Sequence, residues 1–215
     1  MRFGIEVVPA PSPSPQPSPC EYTRRGSNEE LRTTNYEPRT PVKLTDRCRR
    51  IELLLSDVDG VLTDGGITYD NQGIEHKKFH IRDGLGIKLW QRAGFKFGVL
   101  TARTSHIVKL RASELGIEIV RQGFEQKLPV LREVLKQLNL KPDQCAYIGD
   151  DLTDLPCIRN VGLGVAVADA AAEVQAAAGH ITQLAGGQGA VRELIELVLK
   201  AKGRWDETIQ TYLAD

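Results

Sequence analysis

Apolar residues in this chain come in short dense runs separated by amphipathic stretches, and the alternation begins near residue 51. Ile51–Leu55 is an almost continuous apolar run ending in Ser56-Asp57, the pattern of a strand covered on both faces. Lys96–Leu100, Ile117–Val120, Cys145–Ile148 and Leu163–Val167 repeat that pattern. Between them lie segments of helical character: Asp83–Ala93, Ser105–Leu115, Lys127–Leu138, Leu152–Asn160, Ala170–Ala178 and Ala190–Ala201. Gly116 suits the left-handed residue that closes a helix. Pro129 falls in a first helical turn, where its missing donor is not needed. Two stretches differ. Ile67-Thr68-Tyr69 sits between the turn sequences Asp64-Gly65-Gly66 and Asp70-Asn71-Gln72-Gly73, which predicts a hairpin. His180-Ile181-Thr182 has the length of an edge strand. The whole predicts an α/β fold: a Rossmann-like, mostly parallel sheet flanked by helices, with a β-hairpin flap after the first strand. The gaps from Asp59 to Thr101 and from Lys127 to Asp150 are too short to hold a cap domain.

Residues 1–45 break the pattern. Pro9 to Pro19 alternates proline with serine and other small or polar residues. Such a stretch buries too little apolar surface to offset its ordering entropy, so a disordered extension is expected. The basic run Asp46–Arg50 reads as a solvated lead-in to a domain over 46–203, followed by a C-terminal tail over 204–215. At 215 residues, 41% apolar and 26% charged, the chain is long enough for one α/β domain with a sizeable core. Twenty-eight basic side chains balance 28 acidic ones. No bulk attraction to nucleic acid or to an anionic membrane results, and an anionic ligand must be held by local groups. Cys20, Cys48, Cys145 and Cys157 form no CxxC pair and no Cys/His ligand spacing, which argues against zinc and suits a reducing cytoplasm. No apolar stretch reaches the roughly 18 residues of a membrane span, and the N-terminus lacks the apolar core of a secretory signal.

In parallel sheets, ligands bind beyond the carboxyl ends of the strands. The residues just past each strand therefore carry the information about chemistry. After the first strand comes Asp57-Val58-Asp59-Gly60, after the second Thr101-Ala102-Arg103, after the third Lys127, and after the fourth Gly149-Asp150-Asp151. Each residue type has a task in phosphoryl transfer. A carboxylate such as Asp57 can attack phosphorus in line and split hydrolysis into two steps. Asp57 and Asp150 supply the oxygen ligands and charge for a hard cation such as Mg2+, which offsets repulsion between carboxylate and phosphate. A second carboxylate can protonate the leaving alkoxide and then deprotonate water, and Asp59, two residues on, can aim at the leaving group. Thr101 and Lys127 offer a hydroxyl and a positive charge to the equatorial oxygens.

These four segments resemble the signature motifs of the haloacid dehalogenase superfamily of phosphohydrolases. Together with Ile81–Ile87, Val165–Ala170 and Gly186–Glu193 they resemble its capless 3-deoxy-D-manno-octulosonate 8-phosphate phosphatase family, over about Ile51 to about Gly203. The resemblance implies Asp57 as nucleophile and Asp59 as general acid/base, and magnesium held by Asp57, the backbone carbonyl of Asp59, and Asp150, with Asp151 behind them. It implies that Thr101 and Lys127 contact the phosphoryl group. It also implies a substrate pocket lined by His80, Ile81, Arg82, Asp83, Gly84, Lys88, Arg103 and Arg111, beside Asp59 and Lys127. Ala102 and Lys88 stand where the family usually has glycine and arginine. The implied activity is magnesium-dependent hydrolysis of a sugar-acid phosphate in lipopolysaccharide core biosynthesis, in a homotetramer whose hairpins complete neighbouring sites. Two alternatives stay open: another keto-acid sugar phosphate such as a nonulosonate 9-phosphate, or a non-catalytic assembly module of sialate activation. Asp59 argues against the module, because a chain that only keeps a phosphoryl group needs no second carboxylate at the leaving oxygen.

Overall fold

The structure, a computed structural model, describes residues 43–213. The extension assigned to residues 1–45 therefore lies outside the described residues except at its last three positions. The chain runs α1 (Leu44–Arg50), β1 (Leu53–Ser56), β2 (Thr68–Tyr69), β3 (Glu75–His76), α2 (Ile81–Arg92), β4 (Lys96–Thr101), α3 (His106–Leu115) and β5 (Ile119–Gln122). It continues through α4 (Lys127–Gln137), β6 (Cys145–Gly149), α5 (Leu155–Ile158), β7 (Leu163–Ala166), α6 (Ala172–Ala177), β8 (His180–Ile181), α7 (Ala190–Ala201) and α8 (Trp205–Leu213). Six strands form one sheet in the order β5-β4-β1-β6-β7-β8, parallel at every pairing.

The apolar runs lie where their composition sends them. Leu53, Leu54 and Leu55 are fully buried, because β1 sits between two strands with helices on both faces. α7 buries Ala190, Val191, Leu194, Ile195, Val198 and Leu199, a stripe with the spacing of one helical face, and packs on α1 and α2. After β1 the chain builds β4 and β5 on one side and β6 to β8 on the other. The direction reverses at β1, and the crevice beyond its carboxyl end is the place such a sheet offers a ligand. Asp57 is the first residue after β1. No cap domain interrupts the described residues. Only the small β2–β3 hairpin and α2 separate β1 from β4, and only a 3-10 turn over Pro142–Gln144 separates α4 from β6.

Two local readings are corrected. The lead-in Asp46–Arg50 belongs to α1, which buries Cys48 and is tied to α7 by Arg49 Nε donating to the Ala201 carbonyl (3.1 Å). The Leu152–Asn160 segment is a 3-10 turn over Leu152–Asp154 followed by the one-turn α5, with Pro156 in its first turn. The C-terminal tail holds α8, which rests on its own domain. Trp205 lies under the cations of Arg192 and Lys200, and the Tyr212 hydroxyl accepts from Arg92 (3.0 Å).

Candidate active site

Asp57 leaves β1 with its N–H still donating to Ile148 of β6 (3.0 Å), so the sheet fixes where its side chain starts. One carboxylate oxygen, Oδ1, accepts from the Val58 N–H (2.6 Å), and the other, Oδ2, pairs with Lys127 Nζ (2.6 Å). Lys127 is the first residue of α4 and is 1% exposed. Its ammonium also pairs with Asp154 Oδ1 (2.6 Å). Asp154 is wholly buried and saturated. Its Oδ1 accepts from the Tyr147 hydroxyl (2.6 Å) as well, and its Oδ2 accepts from the N–H groups of Asp150 (3.0 Å) and Asp151 (3.3 Å).

One cation thus faces two carboxylates, with Asp150 as a third. Carboxylate oxygens of Asp57, Asp150 and Asp154 all lie within 4.8 Å of one another. Their titration reflects that crowding. Burial, then the Asp154 charge, push Asp57 up to about 6 against the opposing pull of Lys127. Burial, then Asp57, push Asp150 up to about 7. Burial works to lower Lys127, but Asp57 and Asp154 outweigh it and hold the ammonium above its ordinary value. Lys127 is held as a cation while the carboxylates around it remain under-compensated.

Whether these residues suit a metal is answered by what they leave unmet. Asp150 Oδ1 is buried without a hydrogen-bond partner, an unused oxygen donor beside Asp57. Two oxygen-donor acids, Asp57 and Asp150, with the Asp154 charge behind them, match a hard divalent cation. The loop around them is built for close approach. Gly60 has φ +87°, and a Cβ there would collide with the Asp150 carboxylate. The Gly186-Gly187 loop locks the Asp57–Thr63 loop from outside: Gly187 N–H donates to the Val61 carbonyl (2.9 Å), and a Cβ on Gly186 would strike the Gly60 carbonyl.

Asp59 stands apart from this cluster. Its Oδ1 pairs with Lys77 Nζ, and its Oδ2 is buried without a partner. Lys77 comes directly after β3, so the flap reaches the acid/base candidate. Glu75 of β3 accepts from Arg103 Nη2 and from the Ser105 hydroxyl, both at 2.7 Å. Thr101 ends β4, 2% exposed.

The structure therefore brings Asp57, Asp59, Thr101, Lys127, Asp150 and Arg103 to one edge of the sheet. The other pocket candidates cluster around α2. His80 caps it by accepting from Arg82 N–H (3.3 Å), and with Asp83, Gly84 and Arg111 it lines a small apolar cavity of about 20 Å³. Asp83 is buried and turned to the start of α7, where Oδ1 accepts from Arg192 N–H (2.7 Å). Arg111 pairs with Glu114 (2.7 Å) and lies over the Phe79 ring. Lys88 lies near Glu114. Ile81, 81% exposed, and Arg82 face outward from the first turn of α2. The Asp151 carboxylate caps Leu152 N–H (2.7 Å), and the 3-10 turn carries Asp154 back beneath the site. Asp154, Glu75 and Lys77 are the residues that sequence reasoning missed. Asp154 had a usable signal, as a third acid one tight turn after Asp150.

The haloacid dehalogenase-like hydrolase family matches residues 100–194. The chain is 42% identical over 174 residues, 81% of its length and 92% of the other's, to the 3-deoxy-D-manno-octulosonate 8-phosphate phosphatase KdsC of Salmonella typhimurium. It is 43% identical over 161 residues, 75% and 86% of the two lengths, to the protein of that name from Escherichia coli K12. Among solved structures, the Moraxella catarrhalis phosphatase of this name, in complex with magnesium, phosphate and KDO, matches with a TM-score of 0.77 at 41% identity, covering 78% of this chain and 97% of that one. The cobalt-bound Haemophilus influenzae phosphatase matches with a TM-score of 0.74 at 40% identity, covering 78% and 99%.

Proposed function

The chain belongs to the 3-deoxy-D-manno-octulosonate 8-phosphate phosphatase family of haloacid dehalogenase-like hydrolases, and on that premise we propose that it hydrolyses 3-deoxy-D-manno-octulosonate 8-phosphate to the free sugar acid and phosphate, a step in lipopolysaccharide core biosynthesis. One observation carries the chemistry: a buried carboxylate at the switch point of the sheet, Asp57, is held by Lys127 next to Asp150 and two residues from Asp59, and the latter two each keep an unpartnered buried oxygen.

Asp57 is the nucleophile. A carboxylate oxygen of Asp57 forms a bond to phosphorus as the bond from phosphorus to the sugar oxygen breaks. Asp59 gives its proton to that departing alkoxide. In the second step Asp59 takes a proton from water, whose oxygen attacks phosphorus and frees Asp57. Lys127, fixed between Asp57 and Asp154, keeps a positive charge beside the transferring group at no cost in reorganisation. Thr101 offers its hydroxyl to an equatorial oxygen. Asp57, Asp150 and the Asp59 carbonyl would hold magnesium, with Asp154 behind them, and the ion would neutralise charge between carboxylate and phosphate. Arg103 is our candidate for holding the sugar acid, and the His80–Gly84 segment, Lys88 and Arg111 are the candidates for the rest of the pocket.

We assign the working form as a homotetramer in the cytoplasm. Ile67, Tyr69 and Ile74 on the hairpin are each more than half exposed, and a two-stranded hairpin with bare apolar side chains is marginal in water. Packing hairpins about a symmetry axis covers them and walls the sites together. Among the described residues the three cysteines are unpaired, and no helix is long and apolar enough to cross a membrane. Phosphate release from a panel of sugar-acid phosphates, with magnesium and then with chelator, tests the substrate. The octulosonate 8-phosphate should be turned over fastest, and faster release from a nonulosonate 9-phosphate would reassign the chain.

A further inference from the structure

The carboxyl ends of β4 and β5 carry a polar frame in which Gln122, Ser105 and Glu75 have no task in the chemistry above. Thr101 and Gln122 are register partners, so their side chains stand on one face of the sheet, at the edge that receives ligands. Gln122 Oε1 accepts from the Ser105 N–H (2.7 Å). That bond orients the amide, because the flipped group would set one donor against another. Nε2 is therefore the free end, and it is buried with no acceptor. The Ser105 hydroxyl donates to Glu75 Oε2, and Glu75 Oε1 accepts from Arg103 Nη2. The other prong of Arg103, Nη1, is also buried with no acceptor.

Two N–H donors in one hydrogen-bonded frame are thus unmet. A buried donor without a partner costs as much as its lost hydration, and a pair of them beside a catalytic centre suits an acceptor that arrives with the substrate. The phosphoryl oxygens already have Thr101 and Lys127. The remainder of the molecule, with a carboxylate and several hydroxyls, offers acceptor oxygens that neither Thr101 nor Lys127 receives, and p-nitrophenyl phosphate, which lacks them, distinguishes this acceptor from the phosphoryl group. Glu75 has a separate task. Ser105, Lys77 and Arg103 all favour its ionised form, and its carboxylate grips the prong of Arg103 that the ligand does not need.

We propose that Gln122 is a specificity-determining residue whose Nε2, with Nη1 of Arg103, receives oxygens of the sugar-acid portion of the substrate, and that Glu75 is the positioning residue that holds Arg103 for it. This rests on the phosphatase reading above.

The test compares two substrates, the octulosonate 8-phosphate and p-nitrophenyl phosphate, which shares only the phosphoryl group. Gln122→Glu keeps the acceptor for Ser105 and replaces the free donor with an anion. It should lower kcat/KM for the sugar-acid phosphate about 30-fold more than for p-nitrophenyl phosphate, from the loss of a hydrogen bond to a charged partner. Glu75→Gln should raise KM for the sugar-acid phosphate about tenfold with a smaller change in kcat, since Arg103 loses its anchor and the reacting atoms keep theirs. Equal losses on both substrates, or none, would overturn the inference. If Gln122→Glu does not fold, Gln122→Met serves the same comparison. Calorimetry with free 3-deoxy-D-manno-octulosonate separates the two readings. If the unaltered chain neither binds it nor turns over its phosphate, the substrate reading fails. If it does both and Gln122→Glu matches it, this inference alone fails.

Discussion

The two halves of the site are held in opposite ways. On the β6 side, Asp57, Lys127 and Asp154 form a dry chain of ion pairs, with Lys127 and Asp154 each contributing side chains that are wholly shielded. On the flap side, Glu75 and Arg103 meet with the arginine side chain 35% exposed, and the hairpin tip beyond them carries bare isoleucine and tyrosine. Buried pairs are expensive to form and more expensive to break, whereas half-solvated ones contribute little. The difference separates the tasks. The nucleophile and its cation need one fixed geometry through both steps, while the residues that meet the sugar must let it in and out.

Substitutions should expose that division. The largest effect belongs to Asp57→Asn, which keeps the shape and removes the attacking charge. Sugar-phosphate turnover should drop on the order of 10⁴-fold or more, with a circular dichroism spectrum like that of the unaltered chain. Next is Asp154→Ala, which leaves Lys127 one carboxylate short and strips the Tyr147 hydroxyl of its acceptor. Urea unfolding should show a loss of about 3–5 kcal/mol. A loss below about 1 kcal/mol would mean that the site is not the rigid half. Asp59→Asn should slow the first step on the sugar phosphate about 10²-fold more than on p-nitrophenyl phosphate in single turnovers, because nitrophenolate leaves without a proton.

Protonation gives a smaller and graded effect. Asp57 near 6 and Asp150 near 7 lie above their ordinary value of 3.8. Between those limits the folded, metal-free chain binds more protons than the unfolded one, so its stability falls as pH rises from about 4 to about 7. Magnesium competes with the same protons. Its affinity by calorimetry should fall up to about tenfold per unit as pH drops from 7 to 6, and a melting-temperature gain from magnesium should shrink in step. A pH-independent affinity would place the ion elsewhere. The smallest effect is at the flap: Glu75→Gln should cost about 1 kcal/mol of stability or less.

What the sequence made legible divides along similar lines. Strands buried on both faces announce themselves as apolar runs, so β1, β4, β6 and β7 lie within two residues of expectation at each end. β5 lies two residues further on than Ile117–Val120, because its end is Arg121-Gln122, polar where it reaches the ligand edge. α1 was hidden because its inner face is a single cysteine among charges. The candidate acids after each strand could be named because chemistry dictates their types. Asp154 was visible as a third acid one tight turn after Asp150, but its role lies in a network joining α4, β6 and the following turn, which only the fold assembles. Glu75 and Lys77 read as ordinary hairpin charges until the flap is folded against the strand ends.

The stereochemical course at phosphorus tests the central claim most directly. With an isotopically chiral phosphoryl group on the sugar acid and labelled water, two in-line displacements through Asp57 should give retention of configuration. Inversion would show water attacking the substrate directly and would remove Asp57 as the nucleophile.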